Sequence, residues 1–176
     1  MYIGTGITLR NLIRGSSGVS DPTTGFKQIA DFTATGAEVS LTVPTDSDTE
    51  LEYIIDIRNL GAGIRLEFNN DTGSNYGYQY IFNNAGTISS ARGVSANITI
   101  GTDGTGLRRF NVIAPVGFIK TLFSDTCSWS SGTTIQYKDN VGWSWNNTAS
   151  ITAMKFYING ANFTTGTRIT VYARIV

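Results

Sequence analysis

Apolar residues in this chain recur at every second position, in short runs cut by clusters of Gly, Asn, Asp and Ser. Successive side chains of a β-strand point to opposite faces, so this period selects strands over amphipathic helices. Leu51, Tyr53, Ile55 and Ile57 alternate with Glu52, Asp56 and Arg58, with Ile54 as the exception. After the turn Asn59-Leu60-Gly61-Ala62-Gly63, Ile64, Leu66 and Phe68 alternate with Arg65, Glu67 and Asn69. The two runs read as an antiparallel hairpin with one buried and one charged face, on which Arg65 and Glu67 pair across to Glu52, Asp56 or Arg58. The same alternation predicts strands over 26–32, 39–43, 76–82, 96–100, 108–114, 117–124, 133–138, 154–158 and 168–176. Arg108 and Arg109 are adjacent, so a strand sends them to opposite faces, and a surface ion pair is their expected use.

About ten short strands with turns at roughly 8–12-residue spacing, frequent β-branched residues and no helical face imply an all-β fold. The expected architecture is an antiparallel, jelly-roll-like β-sandwich over residues 25–176. Residues 1–24 differ, combining Gly15-Ser16-Ser17-Gly18 with the scattered apolar residues Ile3, Ile7, Leu9, Leu12 and Ile13. Two readings stay open for them: an edge strand of the same domain, or an extended arm that attaches the protein to a neighbouring surface. Outward by alternation are Ile54, Tyr157 and Tyr172, which makes them candidate interface residues.

Charge narrows the function. Lys+Arg and Asp+Glu balance at 13 each, which argues against an electrostatic nucleic-acid binder. No apolar run approaches 18 residues, so no transmembrane helix is expected, and the start Met1-Tyr2-Ile3-Gly4 lacks the pattern of a signal peptide. Synthesis in a cytoplasm follows as the expectation. Cys127 stands alone, so no intrachain disulfide can form. Four Asn-X-Thr sequons occur, at Asn70, Asn97, Asn146 and Asn162, as an Asn- and Thr-rich chain produces by chance.

The chain contains no histidine, which removes His-activated nucleophiles and the commonest ligand of catalytic zinc. A carboxylate pair for glycoside hydrolysis from Glu52, Asp56 and Glu67 is the catalytic arrangement left open, with a surface ion-pair ladder to Arg58 and Arg65 as the plainer reading. The chain is expected not to be an enzyme and to need no cofactor. Asn69 and Asp71 lie in an Asn/Asp-rich stretch around Gly73 that faintly resembles a calcium loop, against the plainer reading of an Asx-rich turn. Trp129, Trp143 and Trp145 lie in one polar region, and Tyr76, Tyr78 and Tyr80 share a strand face. Exposed aromatics of this kind bind glycans or protein partners, whereas buried ones cap a core.

Two stretches carry a resemblance. They are Leu66-Glu67-Phe68-Asn69-Asn70-Asp71-Thr72-Gly73-Ser74-Asn75-Tyr76, and Ile151 to Phe156 continuing through Ala161-Asn162-Phe163-Thr164-Thr165-Gly166-Thr167 to Val171-Tyr172. In pattern and composition they resemble small β-rich virion proteins of tailed bacteriophages: head fibres, decoration proteins and tail receptor-binding proteins. The resemblance implies a jelly roll, location in the virion, homo-oligomerisation with a trimer favoured, and contact with other virion proteins. A host surface glycan is the alternative partner, for a receptor-binding module of the tail.

Overall fold

The computed structural model describes residues 25–43, 51–59, 63–84, 87–100, 105–129 and 135–175. Alternation becomes strand throughout, giving in chain order β1 (Lys27–Thr33), β2 (Glu38–Thr42), β3 (Leu51–Asn59), β4 (Ile64–Phe68), β5 (Tyr76–Asn84) and β6 (Thr87–Ser95). Then come β7 (Ile98–Ile100), β8 (Thr105–Ala114), β9 (Lys120–Trp129), β10 (Ile135–Trp145), β11 (Ala153–Tyr157) and β12 (Arg168–Ile175). The fold is an antiparallel β-sandwich. One sheet has eight strands in the order β1-β12-β3-β8-β9-β10-β5-β6, and the other four in the order β2-β11-β4-β7.

This order has a simple logic. Setting aside the hairpins β5–β6 and β9–β10 leaves eight strands; numbered afresh along the chain, they lie as 1-8-3-6 in one sheet and 2-7-4-5 in the other. That is the double Greek key of a jelly roll. The two hairpins extend the first sheet outward from β8 through β9, β10, β5 and β6 in succession.

The inner faces meet in one core. Tyr53, Ile55 and Ile57 of β3, Phe110 and Val112 of β8 and Ile169 and Val171 of β12 are 0–1% exposed. They oppose Ile64, Leu66 and Phe68 of β4 and Met154 and Phe156 of β11, all fully buried. Removing this much apolar surface from water is the main drive for closing the sandwich.

Two expectations change here. β3 and β4 are not a hairpin: β3 pairs with β12 and β8, whereas β4 pairs with β11 and β7 in the other sheet. β3 and β4, consecutive in the chain, therefore lie in different sheets. The alternation named the buried face of each run, and a burial pattern is the same whichever sheet a strand joins. Arg108 also departs from its expected surface pairing. It is 1% exposed, and its Nη1 donates to the Ile100 carbonyl at 2.6 Å, tying β8 to β7.

Residues 1–24, with Ile3, Ile7, Leu9, Leu12 and Ile13, lie outside the described residues. Among the described residues no helix is long and apolar enough to cross a membrane.

Candidate functional site

The aromatic residues singled out from the sequence converge, but inward. Trp145 and Tyr76 are register partners on β10 and β5, and both are 0% exposed. Their rings stack with centroids 6.5 Å apart, and Phe68 of the opposite sheet packs on Trp145 at 5.4 Å. Trp143 and Tyr78 form the next pair outward, at 5.2 Å, and Tyr78 stacks on Tyr80 at 5.7 Å. Trp143 is 7% exposed, whereas Tyr78 and Tyr80 are half-buried. An exposed stacking platform made of Trp143, Trp145 and Tyr76 is thus corrected to a buried wedge. The inserted strands turn their aromatic face toward β4, and burial of such large rings outweighs what exposure would leave available for a ligand. Trp129 ends β9; its side chain lies outside the described residues.

The loop from Asn69 to Asn75 closes over this wedge. Asp71 accepts hydrogen bonds from Trp145 Nε1 at 2.8 Å, from the Gly73 amide at 3.0 Å and from Asn75 Nδ2 at 3.1 Å. Burial pushes the Asp71 carboxyl up, and those three donors outweigh it, leaving the group below its ordinary pKa. Asn69 Oδ1 accepts from the Thr152 amide and hydroxyl and from the Ala153 amide, while its Nδ2 donates to the Ser150 carbonyl. The Asn69 and Asp71 oxygens are therefore met by protein donors.

The three carboxylates do not share one face. Glu52 and Asp56 lie on the outer face of the eight-stranded sheet, bound to Arg174 and Arg109 respectively. Glu67 lies on the outer face of the other sheet, 3% exposed, held by Lys155 Nζ at 2.7 Å and by the Tyr157 hydroxyl at 2.5 Å. The sandwich stands between them.

The outer face of the eight-stranded sheet carries both ion pairs and apolar side chains. Arg174–Glu52, Arg109–Asp56 and Arg168–Asp31 cover β1, β12, β3 and β8 with cross-strand ion pairs. Arg168 holds the Asp31 carboxyl below its ordinary pKa. On the same face Leu107 and Ile113 of β8 are exposed, and β9, β10, β5 and β6 expose Phe123, Ile81, Ile88 and Val94.

A second apolar feature stands at one end of the sandwich, on the turn between β8 and β9. Pro115 to Phe118 form a turn in which Gly117, at φ 77°, takes the left-handed position that a type II turn demands. The turn exposes Val116 at 38%, Phe118 at 68% and Ile119 at 46%. Beneath it the Lys120 ammonium, on a fully buried residue, donates to the carbonyls of Pro115 at 3.0 Å, Phe118 at 2.6 Å and Thr148 at 3.1 Å. Burial lowers the Lys120 pKa, and the three carbonyls satisfy its three donors. Alternation alone does not mark this site, because it carries residues 117–119 into the predicted strand 117–124. The available signal was the apolar run Val116-Gly117-Phe118-Ile119 placed directly after Pro115.

Comparison with protein-family models, curated proteins and solved structures finds no match to this chain.

Proposed function

We propose that the chain is a structural component of a bacteriophage virion, an accessory head or tail protein that acts by self-assembly and protein–protein binding. The observation that carries this reading is the apolar β8–β9 turn, with Val116, Phe118 and Ile119 exposed above a buried lysine clasp. Large apolar side chains gain free energy by leaving water, and a turn already fixed loses little entropy on docking. Docked on a different surface of the next copy of the chain, such a knob would make a heterologous contact. Such heterologous contacts close into a ring when the rotation allows, and a trimer is the smallest closed ring of this type. The jelly-roll strand order and the resemblance of the 66–76 and 151–172 stretches to phage virion proteins support the same reading.

The test is Phe118→Asp, compared with the unaltered protein by sedimentation velocity. The unaltered chain should sediment as an oligomer. The variant should sediment as a monomer with an unchanged melting temperature, because Phe118 lies outside the core. An oligomer that survives the substitution would reject the turn as the contact.

A further inference from the structure

A glycine inside a strand gives up a packed side chain and loses more entropy on folding, so its presence calls for a local reason. Close neighbours stand over two glycines of the inserted strands, a rotatable hydroxyl at Gly77 and a packed ring at Gly93. A Cβ on Gly77 would lie 2.7 Å from the Ser144 hydroxyl, and one on Gly93 2.7 Å from the Tyr78 hydroxyl. Gly142 has no such constraint. A Cβ there would meet only the Gln79 carbonyl oxygen, at an ordinary 3.9 Å. The register of β10 with β9 and with β5 also runs unbroken through Gly142, so no bulge accounts for it. A strand glycine without a bulge or a clash suits the close approach of another molecule to the backbone.

Gly142 floors a groove of about 340 Å³ on the outer face of the eight-stranded sheet, a size in the range of small-molecule sites. Phe123 and Gln79 flank Gly142 in register, and Asn111 stands beyond Phe123. Asn140 and Ile81, paired with each other, line the neighbouring row. Strands lie about 4.8 Å apart, so Phe123 and Gln79 are separated by roughly 10 Å, room for one six-membered ring above the glycine. Phe123 is 56% exposed, and the amide side chains of Asn111, Gln79 and Asn140 are exposed around it. The described lining carries no charge, and Arg92, the register partner of Gln79, stands outside it.

We propose that this groove binds a neutral sugar ring, its C–H face on Phe123 and its hydroxyls on the amides of Asn111, Gln79 and Asn140. Each amide offers both donors and an acceptor, which suits hydroxyls that also do both. A phosphate or an acidic ligand would require cations in the lining. A wholly apolar ligand would leave the Asn111 and Gln79 amides desolvated and unpaired. This inference stands apart from the assembly reading, since Phe118 does not line the groove.

The test is a titration of ¹⁵N-labelled protein with glucose, galactose, mannose and N-acetylglucosamine, with glucuronic acid as the charged control. At least one neutral sugar should shift the backbone amides of Asn111, Phe123, Asn140 and Gly142 saturably. Phe123→Ala should weaken that binding at least about fivefold, the loss of a ring contact. Gly142→Val should abolish it while melting no lower than the unaltered protein, because the space above the glycine is open and valine favours strand. The proposal is overturned if no neutral sugar gives saturable shifts, if only glucuronic acid does, or if Gly142→Val binds undiminished. A changed solution mass in Gly142→Val, with no sugar shifts in the parent, would assign the groove to a second copy and overturn it equally.

Discussion

Asn69 sits at φ 54° and, through one side chain, bridges the β4–β5 turn to Ser150, Thr152 and Ala153. Asparagine is among the few non-glycine residues that tolerate this backbone region, and its amide supplies both a donor and an acceptor. Asn69→Ala should therefore lower stability in urea by about 2–3 kcal/mol, combining lost hydrogen bonds with left-handed strain. Asn69→Gly should recover only the backbone part. Tyr157 supplies a second test at this scale. Burial, then the carboxylate of Glu67 that it bonds, push its hydroxyl from 10.0 to about 12. Between these values the unfolded chain releases a proton that the folded chain keeps, so stability falls as pH rises. Tyr157→Phe should make that alkaline loss shallower in thermal melts taken across the window. The role of Asn69 was half legible in the sequence: Asn-Asn-Asp-Thr-Gly announces an Asx-rich turn, whereas the bonds to residues 150–153 join positions about 80 apart in the chain.

At the scale of elements, alternation told faces apart and left partners undetermined. The buried positions Tyr53, Ile55, Ile57, Leu66 and Phe68 follow directly from period two. The assignment of β3 and β4 to different sheets does not, since a Gly/Asn turn serves a hairpin and a crossing equally. β6 escaped notice for another reason. Its aliphatic residues Ile88 and Val94 point outward, at 73% and 70% exposure. Its inward positions opposite Tyr76, Tyr78 and Tyr80 are the small residues Ser95, Gly93 and Ala91. Large rings on β5 fill the space that a conventional strand would fill itself. The β8–β9 turn is likewise shaped by a residue outside it, Lys120. Lys120→Met should leave three carbonyls without their donor, lower stability by about 1–3 kcal/mol and speed amide exchange across residues 116–119.

Across the whole molecule, the chain order of a jelly roll accommodates two extra hairpins on one sheet. The strands of the jelly-roll framework carry the ion pairs of Asp31, Glu52 and Asp56 together with the exposed Leu107 and Ile113, and the inserted strands expose Phe123, Ile81, Ile88 and Val94 beside amides and Arg92. Self-assembly through the apolar turn is the central claim, and the most direct measurement is the mass of the protein in solution by light scattering coupled to size exclusion, run beside Phe118→Asp. The unaltered chain should elute as a trimer and the variant as a monomer. An unaltered chain that elutes as a monomer at every concentration, or a variant that keeps the oligomer, would contradict it.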